Sequence, residues 1–155
     1  MSVHLHFRAA PAEAIVEDHA WLTRFMLAAW ERHSEEFDAG IATSINKDFD
    51  HVHLLYTGAS EGACGEPDSL PIEGGHVVRD PTDANPPFLI LGPAQVRATA
   101  AFLRTVSFDT RWNVGVPELS SAIPAWNEAR ERNLYRDYHH DLRDFYQTAA
   151  SADKR

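Results

Sequence analysis

The side chains best suited to chemistry in this sequence are nine histidines and one cysteine. His4 and His6 are two residues apart in a segment where apolar and polar residues alternate, so on a strand both imidazoles would project from the same face. Two such imidazoles can share a metal ion, but a site needs three or four ligands, and no Cys, Asp or Glu follows nearby at a standard spacing. We therefore predict no metal and no other cofactor.

The cysteine lies in a glycine-rich segment, residues 58–65, that could expose its thiol. A nucleophilic cysteine needs a base or a helix N-terminus that lowers its pKa. If the fold brings suitable partners together, the protein is a small enzyme or a small-molecule-binding protein whose cleft is lined by His53, Cys64, His76 and Trp126. The alternative is that His53 and Trp126 pack in the core and that Cys64 is an incidental loop thiol. The segment is not a phosphate-binding loop, because it lacks the Lys–Ser/Thr ending and is flanked by acids.

Acidic charge is concentrated in one third of the chain. Residues 31–83 contain twelve acidic and three basic residues, so this stretch carries the whole net charge of −9. The candidates for an acidic partner-binding face are Glu35, Glu36, Asp38, Glu61, Glu66, Asp68, Asp80 and Asp83. Because opposite charge accelerates association, our leading interpretation is a non-catalytic interaction protein that binds a basic protein partner, as a neutralising or immunity protein would. The alternative is an acidic surface that serves only solubility.

The composition restricts the class of protein further. The 155 residues, 44% of them hydrophobic, fit one domain, which we place at residues 1–150 with a frayed tail over 151–155. The net charge argues against nucleic acid and anionic membranes as partners. No apolar stretch approaches the roughly 18 residues of a membrane span, and the N-terminus lacks a signal-peptide pattern, so we expect a cytoplasmic protein. The sequence is also compatible with a homo-oligomer that buries an aromatic helix face.

Periodicity places the N-terminal elements that must position these side chains. Alternation predicts a strand over residues 3–8, and Asp18 can cap a helix whose apolar face continues through Trp30 to Phe37. Residues 44–57 fit either a helix or a strand, and we prefer a helix, with Ser44 and Gly58 as its caps, since charged residues at 47, 48 and 50 are poor strand formers.

The second half of the chain alternates irregular and regular segments. Residues 59–87 are rich in Gly and Pro and form either a functional loop with short elements or a mobile one. A buried strand over 88–91 precedes a helix that begins at Pro93. Residues 107–124 are a second turn-rich region. A long amphipathic helix ends the chain, and its apolar face contains Tyr135, Tyr138, His139, Leu142, Phe145, Tyr146 and Ala149.

Four segments together resemble the YfbM-like family, a bacterial family known mainly as a domain of unknown function. They are residues 47–58 (KDFDHVHLLYTG), 70–75 (LPIEGG), 91–96 (LGPAQV) and 124–126 (PAW). The resemblance implies an α+β fold, a single compact domain that is mainly helical with a small mixed sheet, and it implies a helix over 47–57. It implies no activity, because the family has no established chemistry to carry over.

Overall fold

The computed structural model describes residues 4–46, 48–58 and 66–152, in which helices predominate. The strands are β1 (Leu5–Arg8), β2 (Ala42–Ile45), β3 (His76–Val78) and β4 (Phe88–Ile90). The helices are α1 (His19–Glu31), α2 (His33–Asp38), α3 (Phe49–Thr57), α4 (Leu70–Glu73), α5 (Pro93–Thr105), α6 (Phe108–Ala122) and α7 (Glu128–Ser151). A single 3₁₀ turn, Ala12–Ala14, follows β1.

The strands form two antiparallel pairs. β1 pairs with β2, with His6 opposite Ser44, and β3 pairs with β4, with Val77 opposite Leu89. No ladder joins one pair to the other among the described residues, so the β-structure is divided rather than gathered in one mixed sheet. The expected fold class, a compact, mainly helical α+β domain, is confirmed.

The first helical segment begins as predicted and ends earlier. The Asp18 carboxylate accepts a hydrogen bond from the Trp21 amide at 2.9 Å, which caps α1. The helix then breaks at Arg32, whose φ of −115° and ψ of 21° are not helical, and α2 starts in a new direction. The prediction of one continuous apolar face is therefore wrong at its end: Trp30 is 55% exposed and Phe37 is 48% exposed.

The preferred helix over residues 44–57 is correct in its second half. Ser44 belongs to β2 and caps nothing, and α3 begins only at Phe49. Gly58 ends α3 with a φ of 84°, a left-handed conformation that glycine adopts without strain. In the following segment the short elements α4 and β3 are present, while residues 59–65 lie outside the described part of the chain.

The turn-rich region expected over residues 107–124 is instead the helix α6. The Ser107 hydroxyl accepts from the Thr110 amide at 3.2 Å and so provides an N-cap. Pro117 lies inside the helix, where it removes one backbone donor, and its own carbonyl accepts bonds from the hydroxyls of Ser120 and Ser121. The prediction was wrong because Gly115 and Pro117 are typical of turns, and the sequence alone does not show how they pack within a helix.

The C-terminal helix α7 lies at the centre of the core, with α5 packed along it. All seven residues predicted for its apolar face are buried. A second, small cluster of Leu22, Val78 and Ile90 joins α1 to the β3–β4 hairpin. The two strand pairs are thus held against α1 on one side and against α7 on the other.

Candidate binding site

The structure places the residues of the predicted cleft in different surroundings. His53 is fully buried on α3, with its Nε2 atom 3.6 Å from Oε2 of Glu73. His76 is exposed on β3, with its Nε2 atom 3.7 Å from Oε2 of Glu17. Trp126 stacks on Trp112, with ring centroids 5.9 Å apart. Cys64, the fourth residue of the cleft, lies outside the described residues.

Neither of the two cavities described below is lined by His53, His76 or Trp126. Within residues 4–46, 48–58 and 66–152, no cluster of three or more His, Cys, Asp or Glu side chains could hold a metal ion. The predicted catalytic or ligand-binding cleft therefore stays a prediction.

Two of the acids assigned to the partner-binding face have structural roles, which corrects that assignment. Glu36 is only 4% exposed, and its Oε2 atom accepts from Nη2 of Arg8 at 2.7 Å. Asp80 is buried in the turn after β3. Its carboxylate accepts from the amide and hydroxyl of Thr82 and from the amide and side chain of Asn85. The Thr82 amide, followed by Asn85, lowers the pKa of Asp80 to about 2.

The other acids of the proposed face are distributed over the molecule. Glu35 and Asp38 are exposed on α2, and Glu66 and Asp83 are exposed in loops. Asp68 lies 3.8 Å from the Arg111 guanidinium. Glu61 lies outside the described residues.

The turn that contains Asp80 and Asp83 lies at the opposite end of α1 from α2. The His19 imidazole at the start of α1 donates to the Pro86 carbonyl at 3.0 Å, which fixes the position of this turn. Since α1 has 13 residues, about 20 Å separates its two ends. The exposed acids of α2 and of this turn therefore do not form one continuous patch.

A groove of about 450 Å³ opens beside α2, a volume within the usual range for binding sites. We call it the Trp30 groove and define it by side chains from β1 and the residue before it, from the end of α1 and from α2: His4, His6, Trp30, His33, Phe37 and Asp38. Its floor is the polar face of the β1–β2 pair. Its wall is the exposed aromatic part of α1 and α2, with Trp30 before the break at Arg32 and Phe37 after it.

Three imidazoles surround the Trp30 ring. His33 stacks on it with ring centroids 5.5 Å apart, His6 meets it edge-on at 6.0 Å, and His4 lies at 6.4 Å. Nδ1 of His33 donates to the Trp30 carbonyl at 3.0 Å, and Nδ1 of His4 donates to Oδ1 of Asn46 at 2.9 Å. These contacts hold the indole at the surface, where Trp30 remains 55% exposed although His33 stacks on one of its faces.

The charge of the groove is set by its acids. The pKa of His6 is lowered, mainly by burial. The nearby charges of Arg8 and His33 lower this pKa further, and the charge of Glu36 raises it. His6 is therefore neutral at neutral pH. Asp38 lines the groove, and Glu35 is exposed on the same helix, with the Arg32 guanidinium 3.3 Å from its carboxylate. Glu36 adds no net charge, because Arg8 neutralises it. The groove is thus aromatic and acidic.

Sequence reasoning did not find this site, because it assigned Trp30 and Phe37 to a buried face. The signal that was available is the polar half of β1, where His4 and His6 alternate with Leu5 and Phe7. One face of an antiparallel pair can stay solvated, and here this polar face contributes His4 and His6 to the groove.

These features define a mainly helical α+β protein with an aromatic, acidic surface groove. The chain matches over residues 1–155 the family described as a domain of unknown function, DUF1877, which is also called YfbM-like. It therefore belongs to that family, and the match includes the N-terminal segment that builds the groove. Comparison with curated proteins and with solved structures gave no match. Among the described residues, no helix combines the length and apolar character needed to cross a membrane.

Proposed function

We infer that this protein is a non-catalytic interaction protein and that the Trp30 groove binds a basic segment of a partner protein. The observation that carries the proposal is the exposure of Trp30 (55%) and Phe37 (48%) at the edge of the groove, next to the acidic helix α2. Large aromatic residues at the centre of an interface contribute a major share of its binding energy. An acidic neutraliser of a basic protein would use a surface of this kind.

The chemistry of the groove favours arginine or lysine as the residue that enters it. The face of an exposed indole attracts a cation, and Trp is the most favourable aromatic residue for such a contact. Asp38 lines the groove and Glu35 is exposed on the same helix, so both would pair with further basic residues of the partner. These exposed pairs would be screened by salt over about 8–10 Å at physiological ionic strength, so binding should weaken as salt increases.

Site-specific photo-crosslinking in the host tests this proposal. Benzoylphenylalanine is introduced at Phe37, at the groove, and at Val114, which is 75% exposed on α6, as a matched control. We expect a basic protein to be crosslinked from position 37 and not from position 114. The adduct should disappear when Glu35→Lys and Asp38→Lys are added, because the double variant repels a basic segment.

Two results would overturn the proposal. One is the same set of adducts from positions 37 and 114, since that pattern reports random encounter. The other is an adduct from position 37 that survives the double charge reversal and high salt, since the partner would then not be recognised by its basic charge.

A further inference from the structure

We propose that a second cavity of this protein binds a small, neutral, single-ring aromatic molecule, independently of the function proposed for the Trp30 groove. This apolar cavity of about 190 Å³ lies between β1 and β4. We define it by side chains from the two strands, α1 and α7: Phe7, Phe25, Phe88, Leu89, Phe145 and Ala149.

The two strands border the cavity with their edges. Every residue of β1 and every residue of β4 lines it, although successive side chains of a strand point to opposite faces. The strands belong to separate pairs, so no ladder closes the gap between them. α1 covers the cavity on one side with Leu22 and Phe25, and α7 covers it on the other with Phe145 and Tyr146.

The lining favours an aromatic ligand over an aliphatic one. Five of the lining residues are Phe or Tyr, namely Phe7, Phe25, Phe88, Phe145 and Tyr146, and His6 adds an imidazole ring. Aromatic rings gain energy beyond their buried area when they meet edge-to-face or offset, and the lining rings already pair in this way, as Phe145 and Tyr146 do at 5.2 Å. A bound ring would extend that arrangement.

The lining also favours a neutral ligand. Arg8 is the one Lys, Arg, Asp or Glu residue among the described residues that line the cavity, and its guanidinium is already engaged. Nη2 donates to Glu36 at 2.7 Å, and Nη1 donates to the Phe25 carbonyl at 2.6 Å. The Tyr146 hydroxyl donates to the Pro71 carbonyl at 3.2 Å. The other polar side chain in the lining, His6, has its pKa lowered mainly by burial and is neutral. A charged ligand would lose its hydration in this mostly apolar lining and would find the Arg8 charge already compensated by Glu36.

The volume sets the size of the ligand. Native interiors contain few voids larger than a water molecule, and an apolar cavity of about 150 Å³ stays dry and accepts benzene. A cavity of about 190 Å³ therefore accepts one ring with a small substituent. Among the described lining residues, Pro87 and Leu89 are the ones exposed to solvent, and we therefore place the mouth of the cavity there.

Toluene is the probe, because it has the predicted size and no charge. We expect saturable binding that raises the Tm by about 5 °C near saturation and shifts backbone amide resonances of β1 and β4 but not of α6. Benzoate, which has the same ring and a negative charge, should bind at least about tenfold more weakly. No Tm increase with toluene, resonance shifts confined to α6, or tighter binding of benzoate would each overturn the proposal.

Two variants block the cavity in different ways. Leu89→Trp enlarges a 38% exposed side chain at the mouth, and Ala149→Leu fills the interior from α7. Each should reduce toluene affinity at least about tenfold. The matched control is Val77→Trp, because Val77 lies opposite Leu89 in the hairpin, is 41% exposed and does not line the cavity. Leu89→Trp keeps the test valid if Ala149→Leu fails to fold. Equal affinity in Leu89→Trp and Val77→Trp would overturn the proposal.

Discussion

Arg8 and Glu36 form a buried ion pair that joins strand β1 to helix α2, with Nη2 of the guanidinium 2.7 Å from Oε2 of the carboxylate. The same guanidinium donates to the Phe25 carbonyl of α1 and lies 4.3 Å above the Phe25 ring. One cation thus ties together the three elements that frame the Trp30 groove, and two of them, β1 and α1, also border the apolar cavity. The acid that sequence reasoning assigned to a partner neutralises a residue of its own chain.

Removal of Glu36 should therefore destabilise the fold. Glu36→Ala leaves the Arg8 guanidinium buried without its counter-charge, and we expect a loss of about 3–5 kcal/mol in the free energy of unfolding. Glu35→Ala is the matched control, because Glu35 is the neighbouring acid of the same helix and pairs with Arg32 in solvent. Its effect should stay within about 1 kcal/mol. Urea unfolding of both variants measures the difference, and similar losses in the two would contradict this role of the pair.

Truncation of the groove's aromatic wall should affect binding and leave the fold nearly intact. Trp30→Ala and Phe37→Ala remove side chains that are about half exposed, so the free energy of unfolding should fall by no more than about 1 kcal/mol each. Trp112→Ala, in the core, should cost about 3–5 kcal/mol. Urea unfolding separates the three, and a loss in Trp30→Ala as large as that in Trp112→Ala would show that the indole is structural.

Much of the helical part of the fold could be predicted, because a long helix repeats its pattern. α7 has 24 residues, nearly seven turns, and from Tyr135 onward each turn places apolar residues on the same side, so seven of its eight buried residues were identified and only Glu131 was missed. Helix ends at Asp18, Gly58 and Pro93 were also readable, since these residue types satisfy or remove specific backbone groups.

The errors have a common physical origin in tertiary contacts. Gly115 indicated a turn, but a Cβ atom there would lie 2.8 Å from Cδ2 of Leu55, so this glycine permits α6 to approach α3 closely. Glu36 indicated surface charge because nothing local reveals that Arg8 lies beside it. The Trp30 groove is lined by residues on both sides of the break at Arg32. No Gly or Pro at this position indicates the break in the sequence. Such features depend on residues that are distant in the sequence.

His139 should make the protein less stable in mild acid. It is buried on α7, where the Tyr56 hydroxyl donates to its Nδ1 atom at 2.8 Å. Burial, reinforced by His140 and Arg143, lowers its pKa to about 4. The unfolded chain binds a proton near pH 6.5 and the folded chain does not, so this contribution to stability is complete above pH 6.5 and decreases toward pH 4. We expect a loss on the order of 2 kcal/mol across this window, after allowance for solvent screening.

Two variants isolate this effect. His139→Gln should be less stable at pH 7.5, and its deficit relative to the unmodified protein should shrink as the pH falls to 4.5. Tyr56→Phe removes the hydrogen bond and keeps the buried imidazole. Because a hydroxyl that donates to Nδ1 favours the neutral imidazole, its deficit should also shrink toward pH 4.5, but by much less than that of His139→Gln, since burial is the main cause of the lowered pKa. Urea unfolding at several pH values provides the comparison. A His139→Gln deficit that does not change with pH would exclude His139 as the source of the acid sensitivity.

Gly75 should be required for the hairpin that borders the apolar cavity. Its φ of +101° is unfavourable for any residue with a side chain, and a Cβ atom there would lie 2.6 Å from the Ile90 carbonyl oxygen of β4. Gly75→Ala must therefore displace β3 from β4, and we expect a cost of more than about 2 kcal/mol. Gly92→Ala is the control, since Gly92 has an ordinary φ of −71° and no atom near the added Cβ. Its cost should stay below about 1 kcal/mol.

Hydrogen exchange of the backbone amides locates the part of the fold that Gly75→Ala destabilises, because opening of the hairpin and global unfolding expose different amides. Exchange should accelerate strongly at the amides of β3 and β4. At the buried amides of α7, the exchange rate should change only as much as the change in the global free energy of unfolding requires. Since every residue of β4 lines the apolar cavity, the same variant should also lose toluene binding, and Gly92→Ala should keep it. Equal exchange rates for β4 in both variants would mean that the hairpin tolerates a side chain at position 75, and the close approach of Gly75 to Ile90 would then have no role in holding the cavity open.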